Sequence, residues 1–307
     1  MESYEIKRIL VPVDFSPASV NALQTAVAMA KRQLATITLL HVIENTHVLV
    51  PPETRPEASG MLAQLMVKAN EQLGLLAKVL RFQHDLVVNH VVQVGNAADE
   101  TCRWALHKGI SLIVMGTHGS SGLRQTYLGS SAYRVVKNAP CPVMTIPGTN
   151  EWLDFKKVLF PIRLVPQALD KYDVLRPILR KNGSSLMLAG IVKRNDTSGF
   201  EDMKKLVNRV ARQMAEDQVL CVSDVYRGDN VAQKVVEITN QVRPDLIVIT
   251  ATLDPMLGDF FLGPYTQDII NHAHFPVLSV RPDHSWEQDS FLKHALRGVT
   301  IAQEDYA

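Results

Sequence analysis

Cysteine is scarce: Cys102, Cys141 and Cys221 are the only three in 307 residues. They form no Cys-x-x-Cys pair and leave an odd count, which argues against a disulfide framework and suits reduced thiols in a cytoplasm. Net charge is almost absent too. The 32 Lys and Arg against 31 Asp and Glu leave +1, so no global field draws the chain towards nucleic acid or anionic lipid. No basic stripe of a nucleic-acid binder is visible. Long apolar runs are also missing. The longest, such as Ser111-Leu112-Ile113-Val114-Met115, are strand-sized and far short of a membrane span. Residues 1–8 contain no apolar signal-peptide core, so the expected location is cytoplasmic. What is present is the balance of an ordinary globular protein, 46% apolar and 21% charged, and the length favours two domains.

Along the chain, apolar runs of strand length alternate with segments of helical period. A strand over 6–14 is crowded by Ile9, Leu10, Val11 and Val13 and closed by Asp14. Ser16-Pro17 then reads as a helix start, a hydroxyl cap followed by proline. Val20, Leu23, Val27 and Ala30 continue it at helical spacing. A strand over 36–43, a proline-bearing stretch over 50–56 and a long amphipathic helix over 57–81 follow. Further on come a strand over 86–94, a helix over 97–108, a strand over 111–115, a glycine-bearing loop, a helix over 130–138 and a strand over 143–146. Such alternation means a parallel sheet covered on both faces. The order then repeats. Lys156-Lys157-Val158-Leu159-Phe160-Pro161-Ile162-Arg163 echoes Lys7-Arg8-Ile9-Leu10-Val11-Pro12-Val13-Asp14, and Phe275-Pro276-Val277-Leu278 echoes Cys141-Pro142-Val143-Met144. The chain is therefore expected to be α/β, with two tandem doubly wound open sheets. Each would have five parallel strands in the order 3-2-1-4-5 and helices on both faces. The domains are expected over 1–148 and 153–282, with a polar tail over 283–307.

In such a sheet a ligand site lies beyond the carboxyl ends of the strands, where the order reverses. Here that is between the first and fourth strands, so Asp14 and Gly116 face one crevice. Gly116, Gly119 and Gly129 let backbone N–H groups approach a phosphate closely. Gly129, Ser130 and Ser131 open a helix whose free N–H groups and dipole attract an anion. Asp14 is an acceptor suited to an exocyclic amine or a ribose hydroxyl, and Arg124 can reach a terminal phosphate. His118, in the same loop, either touches a phosphate or stays solvated. The loop lacks the Gly-Lys-Ser/Thr of a P-loop, and no Gly-x-Gly-x-x-Gly follows the first strand, which argues against a dinucleotide enzyme. Gly116→Val is expected to block the phosphate path and leave the fold intact.

Pro12-Val13-Asp14, His41-Val42, the spacing Gly116-x2-Gly119-x9-Gly129-Ser130 and the ending Ala139-Pro140-Cys141-Pro142-Val143 resemble the ATP-binding pattern of the universal stress protein family. The likeness spans residues 4–147, and the whole chain resembles a tandem two-domain member. The resemblance implies an adenine nucleotide, ATP with AMP or ADP as alternatives. It would be held on its base and ribose side by Pro12, Val13, Asp14 and Val42. Met115, Gly116, Gly119, Arg124, Gly129, Ser130 and Ser131 would hold ribose and phosphates, and magnesium would enter only through those phosphates. It also implies a stress-response role and pairing between the last strands of the two domains as an intramolecular pseudo-dimer, leaving a further homodimer open.

Carried to the second half, the pattern breaks: Asp14 becomes Arg163, Gly116 Thr250, Gly119 Leu253, Ser130 Pro264 and Ser131 Tyr265. Arginine cannot accept a hydrogen bond, proline offers no N–H, and Asp254 and Asp259 bring negative charge to the loop. One nucleotide per chain is therefore expected. A slow ATP-hydrolysing enzyme and a nucleotide-free scaffold stand as alternatives. The segment 116–131 contains no acidic residue to hold magnesium or activate water, which lowers the enzyme reading. His272 and His274, two apart, do not stack on one helix face for a metal. Met61, Leu65, Met66 and Leu73 suit either a core face or an interaction face of the long helix, and core is expected. Trp104 and Cys141 are expected to be packing residues.

Overall fold

The structure, a computed structural model, describes residues 4–44, 55–117, 128–148, 150–164, 169, 171–251 and 263–281. The chain divides into two compact units, one built mainly from residues 6–153 and the other from Asp154 onward. His118, Gly119 and Arg124 of the glycine loop lie outside the described residues, as do Leu253, Asp254, Asp259 and the 283–307 tail.

The first unit runs β1 (Arg8–Pro12), α1 (Pro17–Gln33), β2 (Thr36–Glu44), α2 (Arg55–His84), β3 (Val88–Gly95), α3 (Ala97–His107), β4 (Leu112–Gly116), α4 (Ser130–Asn138) and β5 (Val143–Ile146). All its strand pairs are parallel, and the order is β3-β2-β1-β4-β5. Ile9, Leu10 and Val11 in β1 have no exposed surface, because helices cover both sides of a central parallel strand. Ser111 fixes where β1 enters: its Oγ accepts from the N–H groups of Lys7 (3.0 Å) and Arg8 (2.9 Å).

The second unit runs β6 (Lys157–Ile162), α5 (Lys171–Asn182), β7 (Ser185–Val192), α6 (Thr197–Glu216), β8 (Leu220–Arg227), α7 (Val231–Val242), β9 (Leu246–Thr250), α8 (Pro264–His272) and β10 (Val277–Val280). Its parallel order, β8-β7-β6-β9-β10, repeats the first. The entry lock is repeated with a different residue: Asp245 Oδ2 accepts the Lys157 N–H at 2.8 Å. The expected fold is thus present in both halves.

Local chemistry explains the element ends. Ser16 caps α1, its Oγ accepting the Ser19 N–H at 3.2 Å, with Pro17 in the first turn. Strand β1 stops two residues before Asp14. Val13 still donates to the Leu40 carbonyl at 2.8 Å, but Phe15 turns to φ 60° and ends the extended run. Strand β3 begins at Val88 instead of 86, because Asp85 takes φ 53° where α2 ends.

The long helix departs from expectation. Leu73 is buried, but Met61, Leu65 and Met66 are exposed, Met61 to 57%. Thirty residues of helix reach about 45 Å, whereas nine residues of β2 cover about 30 Å. The part of α2 before Ala69 therefore runs beyond the core.

In the second unit, β7 and α6 meet at Gly190. A Cβ there would stand 2.6 Å from Met203 Cγ and 2.9 Å from Val207 Cγ2. Gly190→Ala is expected to cost the second unit about 1–3 kcal/mol through overpacking, read as a lowered urea midpoint. An unchanged midpoint would show that α6 lifts freely from the sheet.

Candidate functional site

Neighbouring strands β1 and β4 pair in register, Ile9 with Leu112 and Leu10 with Ile113. Their carboxyl ends therefore present Val13-Asp14 and Met115-Gly116 on one edge. This is the point where the strand order reverses, β2 lying on one side of β1 and β4 on the other. Leu40 pairs with Pro12, which brings Val42 to the same edge along β2.

Asp14 is exposed, and its Oδ1 accepts the Ser16 N–H at 3.0 Å. That bond fixes the carboxylate at the mouth of the edge. Behind it is an arrangement that the sequence reading missed. Phe15 lies in the left-handed region, φ 60°, which is sterically costly for a bulky side chain. Its ring lies 5.1 Å from that of His41. His41 Nδ1–H donates to the Val13 carbonyl at 2.7 Å, so both polar groups of Val13 are tied to β2. The His41-Val42 pair was the available signal, but nothing in residue order marks Phe15 as left-handed.

Beyond β4, Thr117 is buried and donates its N–H to the Ile146 carbonyl at 3.1 Å. Its carbonyl accepts the Gly129 N–H at 2.8 Å, which brings the start of α4 to the edge. Gly129 occupies the cap position with φ −59° and ψ 149°, and no side chain caps the first turn. Ser130 is exposed and Ser131 half-buried. The N–H groups of the first turn thus remain available to a ligand. Met115 is buried in the sheet, so it offers backbone rather than side chain.

Gly116 requires a correction. A Cβ there would stand 3.0 Å from the carbonyl carbon, carbonyl oxygen and Cβ of Ala18. The glycine is set by the approach of α1, and Gly116→Val cannot be an innocent probe of a phosphate path.

The second unit reproduces the backbone and replaces the chemistry. Ala251 donates to the Val280 carbonyl at 2.8 Å, as Thr117 does to Ile146. Gly263 caps α8 with φ −58° and ψ 147°, matching Gly129, but Pro264 takes the first helical position. Arg163 stacks over the Tyr265 ring, 4.1 Å from its centroid. Those two residues stand where Asp14 and Ser131 stand in the first unit. Burial pushes the Tyr265 hydroxyl up to about 12, against the opposing pull of Arg163, so the ring stays neutral beneath the cation. Lys171 is buried nearby, donating to the Pro161 carbonyl at 2.8 Å and lying over the Phe160 ring.

Among the described residues no group of His, Cys, Asp and Glu has the makings of a metal site, and no helix is long and apolar enough to cross a membrane. His272 Nδ1 bonds the Asp268 carbonyl at 2.8 Å, a helix-end arrangement. Cys141 is half-buried, and burial, with the charge of Cys102 second, pushes its thiol up to about 12. Trp104 is half-buried with Lys108 over its ring.

Fold and strand order together define a tandem α/β protein of doubly wound type. The model of the universal stress protein family matches residues 5–147 and 174–281, and the chain belongs to that family. The second match begins within α5 and leaves out β6, the strand that leads to Arg163. The chain is 31% identical over 141 residues to universal stress protein MJ0531 of Methanocaldococcus jannaschii, covering 46% of this chain and 81% of that protein. It is 32% identical over 148 residues to universal stress protein YxiE of Bacillus subtilis, covering 45% and 97%. Over nearly the whole length the fold is similar to the crystal structure of a universal stress protein from Archaeoglobus fulgidus. The TM-score is 0.72 at 17% identity, covering 91% of this chain and 99% of that one.

Gly116→Ala is expected to destabilise the first unit by about 1–2 kcal/mol with no nucleotide present. Ala18→Gly in the same chain should recover part of it by removing the Cβ from the contact. Thermal denaturation of the single and double variants checks this, and a neutral single variant would show that α1 tolerates a Cβ at this position.

Proposed function

We propose that the first domain binds one adenine nucleotide per chain at the carboxyl edge of β1 and β4, and that the protein serves as a nucleotide-responsive stress regulator. The supporting observation is the contrast between two copies of one backbone. In the first, the edge carries an oriented acceptor, Asp14, and an uncapped helix start with the hydroxyls of Ser130 and Ser131. In the second, the equivalent positions carry a cation stacked on a ring and a proline. Only the first set can accept from an adenine amine or ribose hydroxyl on one side and donate to phosphate oxygens on the other. In this reading Pro12, Val13, Asp14 and Val42 hold base and ribose. Met115, Gly116, Gly119, Arg124, Gly129, Ser130 and Ser131 follow the ribose and phosphates. ATP is the expected ligand, with AMP and ADP as the alternatives, and magnesium enters with the phosphates.

The second domain serves as a built-in partner and offers its apolar last strand, Val277–Val280, to the last strand of the first domain, Val143–Ile146. The basis is the apolar character of both edge strands, each unstable if left open.

Protein purified from cells is denatured, the released nucleotide is identified by chromatography, and ATP binding to the emptied chain is measured by calorimetry. One adenine nucleotide per chain is expected. Asp14→Ala should weaken binding by about tenfold or more, the worth of a hydrogen bond to a charged acceptor. Arg163→Ala should leave stoichiometry and affinity unchanged. No released nucleotide together with no heat on adding ATP would favour the scaffold reading, and unchanged affinity in Asp14→Ala would move the site elsewhere.

A further inference from the structure

Helix α2 has two apolar faces. Ala69, Leu73, Ala77 and Leu80 are buried on the inner one. Val67, Leu75, Val79 and Phe82 are exposed, Leu75 to 64% and Phe82 to 91%. At about 100° per residue these four fall in one sector opposite the buried set. Of the fifteen exposed large apolar side chains among the described residues, seven lie on α2 and none on α6, its counterpart in the second domain. The fold itself therefore does not require them, and a concentrated exposed apolar patch marks an interaction surface.

The exposed face is complementary to itself. Gln64, Val67, Lys68 and Glu71, spaced as i, i+3, i+4 and i+7, line a shallow groove together with Ala63. That spacing is the form of a hole that receives a knob in paired helices. Phe82, the most exposed large apolar side chain among the described residues, lies seven residues after Leu75, and the groove is centred seven to eight residues before Leu75. We propose that two copies of this chain associate through α2, antiparallel about a two-fold axis at Leu75. Residues at about equal distances on either side of Leu75 then come close. Leu75 packs on its own symmetry mate, Phe82 of each copy enters the groove of the other, and Lys78 comes beside Glu71 of the other copy. Every contact is made twice, as an isologous interface requires, along about 27 Å of helix. An in-register parallel pairing would instead set Phe82 against Phe82 and the groove against itself. The mixed signs of Lys68, Glu71 and Lys78 match this partner better than a uniformly acidic or basic one.

Sedimentation equilibrium on the full chain tests the contact. A reversible dimer is expected. Leu75→Asp should weaken it by at least about a hundredfold, because an apolar contact is lost and two carboxylates meet on the axis. Glu71→Lys and Lys78→Glu should each weaken it by about tenfold, and the double exchange should restore it. The substituted side chains lie on the exposed face, so circular dichroism should be unchanged in every variant. A chain that stays monomeric up to about 1 mM overturns the proposal. A dimer indifferent to Leu75→Asp, or one that the double exchange fails to restore, overturns it equally.

Discussion

The carboxyl edge of the first domain depends on how closely the first turn of α1 can approach the end of β4. Ala18 and Gly116 meet where an added Cβ would be only 3.0 Å away. That approach draws in the Ser16 cap, which in turn orients Asp14 through its backbone N–H. The close packing of Ala18 thus constrains Gly116 whatever else meets its backbone.

Much of this architecture was legible in the chain because its signals are local. Ser16-Pro17 marks a helix start through its own chemistry, and a parallel strand buried on both faces reads as an unbroken apolar run, as Ile9 to Val11 does. The duplication was legible for the same reason. What residue order could not show is anything decided by a distant neighbour. Gly116 is the clearest case: a glycine after a strand suggests ligand access, and only the position of Ala18 shows that the packing of α1 also asks for it. The exposure of Met61 and Leu65 was equally hidden, since a 3.6-residue period looks the same whether the sheet beneath it continues or has ended. The left-handed turn of Phe15 is imposed by tertiary context, because its intrinsic preference runs the other way.

The comparison between the halves carries more weight than either half alone. Identical cap geometry at Gly129 and Gly263 means that the strand-to-helix connection tolerates widely different side chains around it. The different side chains there leave the backbone of the connection unchanged. The helices diverged in the opposite sense. Helix α6 keeps its large apolar residues inside, whereas α2 is ten residues longer (30 against 20) and carries a second apolar face. Each copy has thus changed a different surface.

The stack of Arg163 on Tyr265 has a thermodynamic consequence. Where the chain's own side chains stack on each other, the proposed nucleotide finds no acceptor, and in that reading the second half gains no stability from it. A half with an open edge gains stability as its ligand accumulates. Under the proposed single nucleotide site, the two halves joined in one polypeptide would behave as a gauge and its reference: one stiffens with supply while the other keeps its set point.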